Sequence, residues 1–494
     1  MRFLDAICNP EQALLFVVRN ESPFTTTLAI PHQFSFLHGV SFLIIPPSSA
    51  FYYITLPKNY KLSYTQLFSA GIRYNYHNHM SNITNIKARE ILDSRGNPTL
   101  EMDTFVDEKF MGRFGVPSGA STGKYEALEK RDGDASRFDG KGVKELAERI
   151  KREIVPEILN KDFNQNSLDS FLIEKDGTEN KSNLGANAIL GISMSFAKAE
   201  ALKRNIPLYA HIESLFGNDS SVLPTPMVNI LNGGVHAFSG LDIQEFMIVP
   251  LQKGTFRRSL ENCDKVFMHL KDVLKENNLG IAVGDEGGFA PKLKSHNEAL
   301  DFIMQSIEKA GFGLGVDFGI AIDCASSEFF KDGKYILKSE NKEMDSNELS
   351  GYYENLLKNY PILSIEDPFA EDDWQACTSF TEKFGERIMI VGDDLFVTNL
   401  KRLAEGVEKK MANTILIKLN QVGTLSETLT VINEAKKAGW KTIISHRSGE
   451  TEDTSVAHLA VGVGSRFIKA GSVSRGERVA KYNELLRIEE EINK

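Results

Sequence analysis

The sequence has few cysteines and no long apolar run. Its cysteines, at positions 8, 263, 324 and 377, show neither CxxC nor metal-site spacing. We therefore expect free thiols in a reducing compartment and no disulfide framework. The best apolar run before position 80, residues 34–45, is too short for a transmembrane helix. The net charge of −10 argues against nucleic acid or an anionic membrane as the main partner.

Charged residues are scarce before Met80. Residues 1–79 hold 14 aromatic and 8 charged residues, whereas the rest of the chain holds 32 and 116. Asp5 and Glu11 also occupy the part of a secretory signal that should be positive. We expect Met80 to be the natural start, with residues 1–79 a leader without a packed core, either disordered or a mis-assigned start. The competing hypothesis is a targeting or docking extension, and the intact mass of the native protein distinguishes the two.

Two parts follow Met80, and the chain is long enough for both. Residues 80–220 mix strand-like and helical segments, which predicts an α+β domain. From 221 to 494 strands and helices alternate, and short apolar runs end at residues spaced 43, 27, 25, 28 and 23 apart. This spacing predicts βα units in a parallel barrel. The residues at these run ends are Asp323, Glu366, Asp393, Lys418, His446 and Lys469.

Charged residues at the C-terminal ends of barrel strands predict an active site, because those ends meet on one face. Asp323, Glu366 and Asp393 supply carboxylates, which suit Mg²⁺. Lys418 and Lys469 share this rim, and if they lie close together, their mutual repulsion lowers the pKa of one, making it a neutral base. A metal beside an amine base suggests proton abstraction next to a carboxylate. Taken singly, each acid is more often an ion-pair partner, but six residues in phase favour a site.

Four loops add candidate residues. The loop "GVPSGASTGKYEA" carries Ser121 in a composition typical of a mobile lid, although a plain surface turn is equally consistent. The segment "VGDEGGFAP" offers Glu286 as a general acid or a solvated turn residue, and "NGGVHAFSG" offers His236 as a catalytic or structural histidine. Arg447 and Ser448 could together donate hydrogen bonds to a phosphate, although an arginine alone is more often in a surface ion pair.

From residue 86 to 494 the chain resembles the enolase family. The motifs that carry the resemblance are "SGASTG", "QEFMI", "GDEGGFAP", "DCASSEF", "SIEDPF", "GDDL", "LIKLNQ", "SHRSGETED" and "LLRIEEE". The segments "LDIQEFMI" and "ILIKLNQVGTLSET" are similar to the bacterial type. The resemblance implies an α/β fold, an enolase-type modified (β/α)8 TIM barrel preceded by an α+β N-terminal capping domain.

The resemblance also implies an activity and a metal. The expected reaction is the reversible dehydration of 2-phosphoglycerate to phosphoenolpyruvate, in glycolysis and gluconeogenesis, with two Mg²⁺ ions per active site. Asp323, Glu366 and Asp393 would hold the first ion. Ser121, on the lid, would join the second when substrate binds.

The remaining site residues follow from the same resemblance. Lys418 would remove the proton from carbon 2, and Glu286, assisted by Glu245, would protonate the hydroxyl that leaves carbon 3. His236 matches a loop histidine that closes over the substrate. The residues expected to bind substrate are His236, Glu245, Glu366, Asp393, His446, Arg447, Ser448 and Lys469, with Arg447 and Ser448 on the phosphate and Lys469 on the carboxylate.

The sequence departs from the family pattern at Ala470, where "IKAG" replaces "IKTG", and the first 79 residues have no family counterpart. One alternative chemistry is a Schiff base on a barrel lysine, as in metal-independent aldolases. Another class of hypothesis is a binding relative without activity, used at the cell surface or as a scaffold partner. The resemblance implies a cytoplasmic homo-oligomer, at least a dimer, without a need for nucleic acid or a membrane span, and with secondary surface binding as an open hypothesis.

Overall fold

The structure is a computed structural model, which describes residues 80–119, 123–217, 221–252 and 254–493 in full. Before these it describes the backbone of five strands, which form one sheet in the order β3-β4-β2-β1-β5. They are Leu4–Asn9 (β1), Ala13–Val18 (β2), Ser41–Ile44 (β3), Tyr52–Thr55 (β4) and Ile72–Tyr74 (β5). The chain divides into two compact units, Met1–Met80 and Ser81–Lys494. The expectation of a leader without a core falls on side chains outside the described residues and stays a prediction.

The second unit begins with a four-stranded antiparallel sheet in the order β8-β7-β6-β9. Its strands are Ser81–Leu92 (β6), Pro98–Val106 (β7), Phe110–Gly115 (β8) and Asp162–Phe163 (β9). The helices that follow or pack on it are Lys144–Glu153, Val155–Ile158, Gln165–Asp176, Ala186–Arg204 and Leu208–Phe216. A Cβ on Gly112 would lie 2.1 Å from the carbonyl oxygen of Ser195, so glycine permits the close approach of helix and sheet.

Eight strands close into a barrel in the order β10-β11-β12-β16-β17-β18-β19-β20. Together with the small sheet β13-β14-β15, the strands are Thr225–Asn232 (β10), Glu245–Pro250 (β11), Phe318–Asp323 (β12), Phe330–Lys331 (β13), Lys334–Leu337 (β14), Lys342–Met344 (β15), Ile362–Glu366 (β16), Met389–Gly392 (β17), Thr414–Ile417 (β18), Lys441–Ser445 (β19) and Phe467–Lys469 (β20). The six predicted parallel strands, β12 and β16 to β20, are parallel neighbours. Within the barrel only β11 runs antiparallel to both neighbours, so the barrel is mixed, and the enolase-type fold class is confirmed.

The barrel is surrounded by helices, and its interior is filled by apolar side chains. The helices are Phe256–Glu276, His296–Lys309, Ser346–Asn359, Trp374–Phe384, Leu400–Glu408, Leu419–Val422, Leu425–Lys437, Ser455–Gly462 and Gly476–Ile492. The interior cluster is formed by Met227, Met247, Val249, Ala321, Met389, Val391, Leu416, Ile443 and Phe467. Within the described part of the chain, no helix is both long and apolar enough to cross a membrane.

The period of two residues along a strand connects this interior to the rim. Leu416 belongs to the apolar cluster, and Lys418 follows it by two positions, so both side chains point to the same side of the sheet. The same spacing holds in three further strands, which pair Ala321 with Asp323, Val391 with Asp393 and Phe467 with Lys469. Each of these charged side chains therefore points into the barrel, one inward-facing position beyond a side chain of the apolar cluster.

Candidate active site

Five of the six residues at the strand ends line one cavity at the rim of the barrel, and the sixth, Glu366, contacts it through Lys469. β12, β16 and β20 end at three of the predicted residues, and the other three directly follow β17, β18 and β19. The cavity is lined by His236, Gln244, Glu245, Glu286, Asp323, Ala325, Asp367, Asp393, Asp394, Lys418, Ser445, His446, Arg447, Ser448 and Lys469. The barrel thus brings together most of the residues that the sequence proposed from separate motifs.

Lys469 lies among three carboxylates. Its Nζ is 2.8 Å from Oδ2 of Asp323, 2.9 Å from Oε1 of Glu366 and 3.0 Å from Oε1 of Glu245. Burial alone would lower the pKa of Lys469, but the carboxylates, Asp323 foremost, outweigh it and raise that pKa well above its usual range. Lys469 is therefore a fixed positive charge at the centre of the site.

Lys418 forms an ion pair with Oδ2 of Asp393. The amide of Gln421 donates a hydrogen bond to the other oxygen of Asp393 at 2.9 Å. Removal from water and the cations Arg447 and Lys469 would lower the pKa of Lys418, but Asp393 outweighs them and raises it. The predicted lowering of a lysine pKa by mutual repulsion is therefore wrong for this geometry, because each lysine is paired with carboxylate.

Glu245 and Glu286 form a pair of buried carboxyl groups joined by Asn229. The amide nitrogen of Asn229 donates to Glu245 at 3.2 Å and to Glu286 at 3.0 Å. Burial, together with the charge of Glu286, raises the pKa of Glu245 well above its usual range. At Glu286 burial acts in the same direction, but the contacts with His236 and His446 and the charge of Lys469 outweigh it and lower the pKa. Of the two carboxyl groups, Glu245 is therefore the one that keeps its proton to the higher pH.

Two histidines face Glu286. Nδ1 of His236 is 3.6 Å from Oε1 of Glu286 and makes no hydrogen bond among the described residues. Nδ1 of His446 lies 2.6 Å from the guanidinium of Arg478, which can only donate, so the proton of neutral His446 is on Nε2. That Nε2 is 3.4 Å from Glu286. Burial lowers the pKa of His446 to about 4, so the ring is neutral at physiological pH.

Arg447 and Ser448 lie in the loop that follows β19. Arg447 is buried, and its guanidinium donates to Glu126 at 2.9 Å and to the side-chain oxygen of Asn420 at 3.2 Å. Arg478 donates from its guanidinium to the carbonyl oxygens of both loop residues. These hydrogen bonds hold the backbone of the loop. Arg447 and Ser448, the two residues predicted to bind phosphate, line the cavity.

The comparison with known families agrees with this geometry. The model of the enolase C-terminal TIM barrel domain matches residues 220–494, and that of the enolase N-terminal domain matches residues 83–212. The chain belongs to the enolase family. It is a phosphopyruvate hydratase, a lyase that converts 2-phosphoglycerate to phosphoenolpyruvate in glycolysis, and the family uses Mg²⁺.

The structure also adds residues that the sequence analysis missed in this enolase. Asp367 follows Glu366 in "SIEDPF" and accepts the backbone N–H groups of Asp393 and Asp394 at 2.9 and 2.8 Å. Burial and the charge of Asp393 raise the pKa of Asp394 to about 8. Asp367 and Asp394 could have been predicted, because each directly follows a predicted acid in "SIEDPF" and "GDDL". No local motif indicates Gln421, Asn229 or Glu126, because their partners are distant in sequence.

The three carboxylates predicted to bind the first metal ion, Asp323, Glu366 and Asp393, do not form one group in the structure. Asp323 and Glu366 share Lys469, whereas the oxygens of Asp393 lie within 4.8 Å of those of Asp367 and Asp394. A second such group is His236, Glu245 and Glu286. Ser121 lies outside the described residues.

The donor set nevertheless fits a hard cation. Oε2 of Glu366 is buried and has no hydrogen-bond partner in the described part of the chain. Asp323, Glu366 and Asp393 each supply carboxylate oxygen from adjacent strands, and oxygen is the donor that Mg²⁺ prefers. A buried carboxylate oxygen without a partner is what a resident cation would satisfy.

Proposed function

We propose that Lys418 removes the proton from carbon 2 and that Glu286, with Glu245, protonates the hydroxyl that leaves carbon 3. The observation that carries this proposal is their placement across the barrel. Lys418 follows β18 and Glu245 begins β11, which are four strands apart in an eight-stranded barrel. A base and an acid on opposite walls suit removal of a proton from one side and departure of the hydroxyl from the other.

The substrate would be held between these walls. Lys469 carries a permanent positive charge, which would offset the substrate carboxylate. Arg447 and Ser448 would bind the phosphate through donated hydrogen bonds, although Arg447 must share its guanidinium with Glu126. His236 and His446 would complete the wall beside Glu286. Glu366 and Asp393 would contact the substrate as well as the metal.

Two Mg²⁺ ions are proposed for each site. Asp323, Glu366 and Asp393 would hold the first, and Ser121 would join the second. When bound, Mg²⁺ would supply positive charge that stabilises the negative charge developing on the substrate. Lys418 would take the proton of carbon 2 from its place at the end of β18, beside Asp393. Ala470, beside Lys469, leaves the ammonium group of Lys469 in place.

We also propose the domain bounds, the type of the enzyme, its oligomeric state and compartment, and a second role. Supported by the family matches, domains would span residues 80–220 and 221–494, after a leader at 1–79. The enzyme would be of bacterial type, because of "LDIQEFMI" and "ILIKLNQVGTLSET". It would form at least a homodimer in the cytoplasm, which light scattering and cell fractionation test. A second binding role at the cell surface or on a scaffold is a separate hypothesis, tested by labelling intact cells.

The first experiment is to follow phosphoenolpyruvate formation by its ultraviolet absorbance, with and without Mg²⁺. The full chain is compared with a chain that starts at Met80. We expect metal-dependent turnover in both, because the site lies within Ser81–Lys494. Turnover that persists after complete chelation would contradict the metal proposal. Loss of turnover in the shorter chain would show that the first 79 residues are needed.

The mechanism has its own test in the exchange of the carbon 2 proton with solvent. Lys418→Ala should lose both exchange and dehydration, because no base remains. Glu286→Gln should lose dehydration and keep exchange, because only the acid is removed. Deuterium incorporation measured by proton NMR separates the two reactions. Equal loss of exchange in both variants would overturn the division of roles.

A further inference from the structure

The loop between β10 and β11 positions two residues on the proton-donor side of the site. It spans residues 233–244, carries His236, and leads directly into Glu245. Its start is held against its own end, because the N–H of Gly233 donates to the carbonyl of Gln244 at 2.8 Å. The N–H of Gln244 in turn donates to the carbonyl of Asp323 at 2.9 Å. A shift of the loop end would therefore move both Glu245 and His236.

The end of this loop is held by one buried histidine. The backbone N–H groups of Asp242 and Ile243 both donate to Nε2 of His296, at 3.1 and 3.2 Å. His296 is the first residue of helix His296–Lys309 and is completely buried. Two donors directed at one nitrogen require that nitrogen to be unprotonated.

The second ring nitrogen fixes the tautomer. Nδ1 of His296 is 2.8 Å from the hydroxyl of Tyr352, which itself donates to Glu340 at 3.3 Å. The hydroxyl proton is thus directed at Glu340, and Nδ1 must carry the ring proton. Burial lowers the pKa of His296 to about 4, against the opposing charges of Glu340 and Asp242, and Lys342 lowers it further. The ring is therefore a neutral acceptor at physiological pH.

A second contact fastens the same loop end to a different element. The carboxylate of Asp242 accepts the backbone N–H groups of Lys338 and Ser339, both at 2.9 Å. These residues lie between β14 and β15. The hydroxyl of Ser339 is also 3.2 Å from Nε2 of His296. The helix and the small sheet together hold residues 242–243, three positions or fewer before Glu245.

We propose that His296 is a positioning residue for the proton-donor side of the active site, acting through the backbone of Asp242 and Ile243 on Glu245 and His236. The inference rests on the proposed function, which assigns proton donation to Glu286 with Glu245. His296 touches no group that reacts. Its loss displaces the donor side and leaves the base side, Lys418 on β18, in place.

The test compares dehydration with exchange of the carbon 2 proton in His296→Phe. Phenylalanine keeps an aromatic ring, somewhat larger than imidazole, and removes the acceptor, which leaves the N–H groups of Asp242 and Ile243 without this partner. We expect dehydration to fall about tenfold, because small displacements of a catalytic group cost this much or more. Exchange, followed by proton NMR in deuterium oxide, should change less than about twofold. A general loss of folding or of substrate binding would lower both reactions equally.

Further variants separate the possible outcomes. His296→Gln restores an acceptor near the position of Nε2 and should recover part of the dehydration rate. His269→Phe, on helix Phe256–Glu276 and only half-buried, is the matched control and should leave both rates unchanged.

If His296→Phe does not fold, Tyr352→Phe decides, because it removes only the hydroxyl that fixes the tautomer. It should lower dehydration about threefold and spare exchange.

The reference variants distinguish failure of this inference from failure of the mechanism. If Lys418→Ala loses both reactions and Glu286→Gln loses only dehydration, the assignment of acid and base stands. An equal fall of both reactions in His296→Phe, or no change in either, would then overturn the role of His296 alone. If the reference variants do not separate the reactions, the proposed function itself fails.

Discussion

The proposed base side, around Lys418, and the proposed donor side, around Glu245 and Glu286, are built in different ways. On the base side, Lys418 and Asp393 directly follow neighbouring parallel strands, and their contact spans 25 residues. On the donor side, Glu245 begins the one barrel strand that runs antiparallel to both neighbours, and Glu286 lies in a loop outside the strands. Asn229 and Glu286 are 57 residues apart. Strand register fixes the first side, whereas hydrogen bonds between distant segments fix the second.

The two sides differ in what fixes the positions of their side chains. A strand places successive side chains at set intervals, so a base at its end needs little additional support. A loop has no such repeat, and its backbone groups need partners from other elements. His296 and Arg478 provide such partners here, and Asn229 holds the carboxyl groups of Glu245 and Glu286. Substitutions should therefore separate the two sides by the reaction that each supports.

The largest effect is expected at Lys418. Lys418→Ala should lower dehydration by about a thousandfold, because a positioned general base contributes on this order. Phosphoenolpyruvate absorbance measures the rate, and circular dichroism checks that the barrel persists. Lys437→Ala, an exposed lysine on helix Leu425–Lys437, is the control. A Lys418→Ala enzyme with near-normal turnover would remove this residue from the mechanism.

The next effect concerns both sides together. Asp323→Asn should raise the Mg²⁺ concentration that gives half-maximal activity by on the order of a hundredfold, because a charged oxygen ligand is lost. Exchange and dehydration should both require the added metal. Asp317→Asn, just before β12 and outside the cavity, is the matched control. An unchanged metal requirement in Asp323→Asn would argue against this ligand assignment.

A pair of buried amides gives the sharpest comparison of the two sides. Gln421→Met removes the donor to Asp393, and Asn229→Leu removes the donor shared by Glu245 and Glu286. Each change should lower dehydration about tenfold, since Gln421→Met loses the buried hydrogen bond to Asp393 and Asn229→Leu loses those to Glu245 and Glu286. Gln421→Met should also lower proton exchange, and Asn229→Leu should spare it. The same pattern in both variants would contradict a division between the sides.

The smallest effect is a change in acid stability. Since the pKa of folded His296 is about 4, below its usual 6.5, the unfolded chain binds the proton first as the pH falls. The stability present above about pH 6.5 is lost between there and pH 4, at about 1.4 kcal/mol per pH unit for one proton. Urea unfolding of the full enzyme at several pH values measures this slope. His296→Gln should show a shallower slope, and an equal slope would place the titration elsewhere.

Much of the fold and of the base side could be predicted from the sequence. The six parallel strands were predicted from the spacing of their apolar runs, because a strand and a helix together have a nearly constant length. Asp323, Glu366 and Lys469 stand at the ends of their strands. The antiparallel direction of β11 could not be read, because a buried strand has the same apolar pattern in either direction.

The site was less predictable where the pKa or the role of a residue depends on a contact with a residue that is distant in sequence. The pairing of Lys418 with Asp393 opposes the expected lowering of the lysine pKa, and no spacing along the chain reveals that contact. Asp367 and His296 act on backbone N–H groups 26 or more residues away. Such contacts depend on the three-dimensional arrangement of loops, which local sequence patterns do not encode.

Arg478 has a consequence for the order in which the protein is made. It is completely buried, and its guanidinium binds His446 and the carbonyl oxygens of Asp285, Arg447 and Ser448. It lies on helix Gly476–Ile492, so the ribosome adds it after every residue that lines the cavity. The loop after β19 that carries Arg447 and Ser448 therefore lacks this anchor until helix Gly476–Ile492 has been made. Activity is expected only once this helix is complete.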